Sequence, residues 1–265
     1  MFRVTPKKLT QNKQLQNSHH KMKRNSLNLL IAAMVGLTLS SNGATSFVEN
    51  FSDNSPSPNM LTGSVYGSPT TNFTGAFSIT SGDSNRIYLG TNDTDYSTVD
   101  FTFEADVTIP NLGSPWSIAF LGMGSSNANG GFYGEPAPDH SVIMALRPDE
   151  GDNGNLTSRD NGGFNFIFDQ IGLTTATQGM RMDWNATTKQ ATFLFDVGND
   201  GTYDPALTFV VDGSDNGFDA TNSQLFVGGG NGTTFDNISI TTVPEPTSAL
   251  LGSLGLFLIG ARRRR

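Results

Sequence analysis

The chain has 265 residues, no cysteine and a formal charge of −8. Without thiols there is no disulfide framework, no thiolate metal site and no cysteine nucleophile. All 24 acidic residues lie between Glu49 and Glu245, against only the five cations Arg86, Arg147, Arg159, Arg181 and Lys189, a formal charge of −19 for that stretch. Such a body repels phosphates, which argues against DNA or RNA as a partner and leaves cations and neutral glycans as compatible ones.

The chain opens with a polar, basic stretch and then reads MKRNSLNLLIAAMVGLTLSSNGATS from Met22. Lys23 and Arg24 form a basic region, Leu27 to Leu39 an apolar run, and small residues follow, with Gly43 and Ala44 as candidate residues preceding a signal-peptidase cut. That is the layout of a secretory signal peptide, and its apolar run is too short for a spanning helix of roughly 20 residues. Residues 1–44 are therefore expected to be an N-terminal extension and signal peptide, with Met22 an alternative start.

From residue 45 the chain reads as strands. The clearest is FTFEADVTI, in which Phe101, Phe103, Ala105, Val107 and Ile109 alternate with Thr102, Glu104, Asp106 and Thr108. Period-two alternation gives one dry and one wet face, and Pro110 ends it. Further strands are predicted at 73–80, 116–122, 141–146, 164–169, 180–184, 190–197, 206–211, 224–227 and 234–241. Gly, Asn, Asp, Ser and Pro separate them, and no stretch of the body holds a 3.6-residue period. Many short strands at regular spacing predict an all-β antiparallel sandwich or barrel.

Candidate chemistry is sparse. The loop DVGNDGTYD offers Asp196, Asn199, Asp200 and Asp204 around Gly198 and Gly201. These are hard oxygens of the kind calcium takes. The same residues also suit a tight turn, through their backbone tolerance. Counted from Asp196, position 3 is Gly198 and position 12 is Leu207, so the EF-hand spacing fails. RPDEGDNGN, with Asp149, Glu150 and Asp152, is a second acidic candidate. Glu104 and Asp106 share the wet face of one strand, which already explains them as solvent-facing residues. Beyond the N-terminal segment His140 is the only histidine, and no G-x-S-x-G elbow occurs. Phe132 and Tyr133 sit in a glycine-rich loop and are the candidate sugar-stacking pair, whereas Trp116 and Trp184 lie in strand patterns and are expected in the core.

The chain closes VPEPTSALLGSLGLFLIGARRRR. Pro246 suits the first turn of a helix. The 15 uncharged residues from Thr247 to Ala261 reach about 22 Å as a helix, a short span for a core of about 30 Å. Arg262, Arg263, Arg264 and Arg265 form a membrane-stop cluster that stays cytoplasmic by the positive-inside rule. This tail resembles the PEP-CTERM sorting signal: Val243, Pro244, Glu245 and Pro246 match its motif and the arginines its basic end. The resemblance implies a signal peptidase and an exosortase as processing partners, transient anchoring in the inner membrane, and a bacterial cell-surface or extracellular-matrix destination.

Two stretches of the body, FDNISI and WNATTKQATFLFD, resemble the closing and middle strands of concanavalin A-like jelly rolls, with an immunoglobulin-like sandwich as the alternative. Laminarinase-like members carry an E-x-D-x-x-E strand; here Ile109 occupies the last position and breaks it. The expected organisation is a signal segment over 1–44, a β-sandwich over 45–242 and a sorting segment with one short hydrophobic helix over 243–265. The expected function is a non-enzymatic, polysaccharide-binding or structural exported protein, calcium being its candidate cofactor; the alternative is a glycan-active hydrolase or lyase on the same scaffold.

Overall fold

The alternation of the FTFEADVTI stretch is realised residue by residue. Phe101, Phe103, Ala105 and Val107 are buried, and Thr102, Glu104, Asp106 and Thr108 stand half-exposed on the other side. The computed structural model describes residues 44–66, 70–80, 86–114, 117–124, 141–149, 152–160, 163–168 and 171–243. The described strands are, in chain order, β1 (Phe47–Glu49), β2 (Met60–Tyr66), β3 (Thr70–Asn72), β4 (Phe77–Thr80), β5 (Arg86–Thr91), β6 (Asp100–Thr108), β7 (Ala119–Gly124) and β8 (Ser141–Asp149). They continue with β9 (Asp152–Asp160), β10 (Gly163–Phe168), β11 (Gln178–Asn185), β12 (Gln190–Asp196), β13 (Phe209–Asp212), β14 (Gln224–Gly230) and β15 (Thr234–Val243).

The strands form two antiparallel sheets. The first runs β13-β12-β11-β6-β15-β4-β3, with β1 also paired to β15; the second runs β10-β9-β8-β7-β14-β5-β2. This is the all-β antiparallel sandwich expected from the strand pattern. Residues 1–43 of the expected signal segment, the expected C-terminal helix, Pro244 to Pro246 and Arg262 to Arg265 lie outside the described residues, and β15 ends on Val243. Among the described residues no helix is long and apolar enough to cross a membrane.

The core lies between the sheets. Phe103, Met180, Met182, Phe193, Phe195 and Phe235 from the first sheet meet Leu89, Leu121, Met123, Met144 and Val227 from the second, all fully buried. Each such side chain contributes about 1.5–3 kcal/mol relative to exposure. Trp184 joins this core at 3 % exposure, its indole N–H donating to the Ser97 carbonyl at 3.2 Å, as the strand pattern around it predicted. The central strands of the second sheet, β7, β8 and β14, are apolar on both faces. Ile118, Phe120, Ile143, Ala145 and Phe226 form a separate buried cluster, joined by Tyr88. Gly228 makes this packing possible, because a Cβ there would fall 2.4 Å from the Phe120 ring and 2.6 Å from the Ile87 carbonyl oxygen.

Two sequence expectations are corrected. The strand over 73–80 begins only at Phe77, as β4, because residues 73–76 form the turn from β3, where Gly75 takes φ +69° and the Asn72 side chain accepts from the Thr74 amide at 2.9 Å. The strand over 206–211 starts only at Phe209, because Asp204 and Pro205 first build a short 3₁₀ turn. Asp149 and Asp152 of the second acidic candidate are cross-strand partners in the β8–β9 hairpin. Strands β1, β2, β3, β5 and β9 escaped the pattern reading; β9, DNGNLTSRD, is almost wholly polar and carries no alternation.

Candidate functional site

The outward face of the first sheet carries a charged and hydroxylic patch set by strand register. Arg181 on β11 stands opposite Glu104 on β6, and Ser239 on β15 stands opposite Glu104 from the other side. Arg181 Nη1 reaches Glu104 Oε1 at 3.3 Å and its Nε reaches Asp183 Oδ1 at 2.9 Å. Thr102 donates to the same Asp183 oxygen at 2.8 Å, and the Ser239 hydroxyl donates to Glu104 Oε2 at 3.4 Å. The Arg181, Glu104 and Asp183 side chains are each about one-third exposed, at 31 %, 35 % and 35 %. Next along β6, Asp106 accepts from Asn237 Nδ2 at 2.7 Å, where Asn237 takes φ +48° in the β15 bulge.

A loop lays an aromatic ring on this patch. Tyr203 donates its hydroxyl to Glu104 Oε1 at 3.2 Å, and the Arg181 guanidinium carbon sits 5.6 Å from the ring centroid. That is within cation–π range. Partial burial and the Glu104 charge push the Tyr203 phenol above its ordinary range. For Arg181, burial acts downward, and the hydrogen bond and charge of Asp183 with the charge of Glu104 outweigh it, so the guanidinium is held above its usual value.

The loop that delivers Tyr203 is the acidic stretch proposed for calcium, and its carboxylates close its own turns. Asp196, 2 % exposed, accepts from the Gly201 amide at 2.8 Å and the Asp200 amide at 3.3 Å. Asp200 accepts from the Thr202 amide and Asp204 from the Ala206 amide, both at 2.8 Å. Gln178 Oε1 accepts from the Gly198 amide at 2.9 Å. Gly198, Asn199 and Gly201 take φ of +91°, +53° and +86°, as such a turn demands. Asn199 turns its Oδ1 toward Gly179, where a Cβ would lie 3.2 Å away. The carboxylates thus make a self-capped turn. Among the described residues, no group of three or more His, Asp or Glu side chains is gathered as metal ligands.

Of the other candidates, Phe132, Tyr133, Trp116 and His140 lie outside the described residues. Glu104 and Asp106 do share the wet face, engaged by Arg181, Tyr203, Ser239 and Asn237 rather than by each other. Ile109, the broken third position of the hydrolase-type pattern, is fully buried. The residue that sequence reasoning missed is Tyr203; the glycine-bracketed turn around it was the only local signal.

The fold has many solved counterparts. Lectin UEA-II, solved with galactose, superposes with a TM-score of 0.55 at 11 % identity, over 77 % of this chain and 99 % of that one. Lectin II from Ulex europaeus gives 0.54 at 12 % identity over the same shares, 77 % and 99 %. The exoplasmic/lumenal domain of VIP36 in its Ca²⁺/Man2-bound form gives 0.55 at 9 % identity, over 75 % of this chain and 88 % of that one. The chain therefore has the legume-lectin-like jelly-roll fold, the concanavalin A-like alternative of the two sandwiches considered. No protein-family model matches the sequence, and no curated protein does.

Proposed function

We propose that this protein is a non-catalytic, polysaccharide-binding β-sandwich, exported by its N-terminal segment and delivered to the cell surface or extracellular matrix by its C-terminal sorting signal. The observation that carries the binding reading is the Tyr203 ring held over Arg181 between Glu104 and Asp183, on the exposed face of a sheet. An aromatic face beside convergent hydrogen-bonding groups is how proteins take a sugar's apolar and hydroxyl surfaces together. The fold supports the same reading, since its solved counterparts include a lectin complexed with galactose and the VIP36 exoplasmic/lumenal domain in its Ca²⁺/Man2-bound form. Phe132 and Tyr133 are the second candidate stacking pair.

Signal peptidase, exosortase and the inner membrane are the partners this reading requires, and residues 1–44, 45–242 and 243–265 are its three working parts. Calcium, if taken up, would be held by Asp196, Asn199, Asp200 and Asp204, in exchange for the turn hydrogen bonds that those side chains make.

The test is a polysaccharide panel probed with the exported chain, in calcium and in chelator. Binding that falls at least tenfold in Tyr203→Ala supports the assignment. Retained binding in that variant moves the site elsewhere, and no binding to any glycan leaves a structural matrix protein. For sorting, removal of residues 243–265 is expected to abolish surface display in an exosortase-bearing host; unchanged display would end that part of the reading.

A further inference from the structure

The start of the body is seated on two carboxylates. The Thr45 amide donates to Asp93 Oδ2 at 3.0 Å, and the Ala44 amide hydrogen-bonds to the Asp95 carboxylate. The Tyr96 hydroxyl donates to the Thr45 carbonyl at 2.9 Å, and Ala44 itself is only 8 % exposed. The seat is rigid. Asp95 forms a β-bridge with Ser223; around it the Tyr96 amide donates to the Ser223 carbonyl at 3.2 Å, and the Ser223 amide donates to the Thr94 carbonyl at 2.7 Å. Tyr96 is fully buried beneath it.

This seat lacks a charge and a donor. Asp95 Oδ1 is a buried oxygen with no hydrogen-bond partner among the described residues. Among those residues the ion pairs belong to Arg181, and none reaches Asp93 or Asp95. Burial, and then the neighbouring Asp93 charge, push the Asp95 carboxyl above its ordinary range. A buried carboxylate oxygen left without a donor is costly. The chain meets the seat with peptide N–H groups, which bring one donor each and no charge. An α-ammonium at Ala44 would bring three donors and a full positive charge to the same place.

The sequence supplies such a terminus. Ser41 and Gly43 put small residues at the third and first positions before Ala44, the pattern that signal peptidase reads. A cut one residue later would place Asn42 at the third position instead. We propose that the Gly43–Ala44 bond is the processing site and that the α-ammonium released on Ala44 docks between Asp93 and Asp95, so that removal of the leader completes the folded body.

In this hydrolysis the Gly43 carbonyl carbon gains the hydroxyl of water, the C–N bond breaks, and the Ala44 nitrogen takes the proton. At neutral pH the new carboxyl group then ionises and leaves with the leader, and the amine takes up a second proton. The titratable groups facing the new terminus are Asp93, Asp95 and Tyr96. A hydrogen-bonded carboxylate, with a second one nearby, holds an ammonium in its charged form. The inference rests on the export reading above.

The experiment expresses the full chain in an exporting bacterium and purifies the exported product. Mass spectrometry of its N-terminus is expected to show Ala44 first. Trace acetylation of the α-amine, followed across pH, is expected to give an amine that titrates at least one unit above its ordinary value of about 8. Asp95→Asn should bring it back toward that value. A mature chain starting elsewhere overturns the processing site. A start at Ala44 with an amine of ordinary pKa overturns the docking and leaves export standing. A chain that keeps its leader ends the export reading and this inference together. The amine titration needs no variant to fold, so the outcome does not depend on Asp95→Asn being stable.

Discussion

Tyr203 donates its hydroxyl to Glu104 Oε1 at 3.2 Å, fastening a turn to the middle of a strand 99 positions earlier in the chain. The acidic loop after β12 therefore acts as an arm, and Tyr203 is its hand. Tyr203→Phe removes that hydrogen bond and keeps the ring on Arg181. The expected loss is about 0.5–1.5 kcal/mol of unfolding free energy, read as a lower urea midpoint with an unchanged slope. An unchanged midpoint would mean that the arm is held by the ring alone.

Gly228→Ala tests the two-sided burial of the second sheet. Its Cβ would meet a ring and a backbone oxygen inside 2.6 Å, and the backbone cannot step aside cheaply. A loss of about 1–3 kcal/mol is expected. Gly113→Ala is the control: it is exposed, with its nearest contact at an ordinary 3.5 Å, and should change stability by less than about 0.5 kcal/mol. Equal behaviour of the two variants in thermal melts would contradict the packing described for Phe120.

Alkali should unfold the protein through its tyrosines. Burial first, then nearby carboxylates, raises the phenols of Tyr96 and Tyr203 above their ordinary range. The unfolded chain releases these protons near pH 10 while the folded one retains them. Their contribution is therefore complete below about pH 10 and is lost as pH climbs through the folded values. Phenolate absorbance and loss of near-UV dichroism should rise together. Early ionisation of all five tyrosines in a still-folded protein would refute the assignment.

Chelation separates the turn from the metal. Because Asp196, Asp200 and Asp204 already satisfy loop amides, excess chelator or added calcium should leave the melting temperature unchanged to within about a degree. A rise of several degrees with calcium would show that the loop exchanges those amides for an ion.

Much of the sandwich was legible because half-buried strands write their two faces into the sequence, as β6 does at every position from Asp100 to Thr108. The second sheet was harder to read. Strand β7 is buried at all six positions and β5 at five of six, so no alternation marks them. The acidic loop reads as a turn or a metal loop; the turn is realised, but its hydrogen bonding depends on which amides Asp196 faces, beside Gln178 and Gly179 on the neighbouring strand. Tyr203 matters only through residues far away in sequence, a relationship that strand register creates and local pattern cannot encode.

The pairing of the first strand with the last has a mechanical consequence. Phe47 lies opposite Ile240 and Glu49 opposite Ile238, and the Ser46 and Thr242 hydroxyls meet at 2.8 Å, so both ends of the body emerge at one corner. A pull between those ends would peel three-residue β1 from β15 one pair at a time, the weakest way to load a ladder. A pull on Val243 alone, resisted by a polymer gripping the Tyr203 face, would run along β15 and strain its bonds to β6 from Thr234 to Val243 in parallel. A body loaded in this way would thus carry tension in shear, the strong direction of a β-sheet.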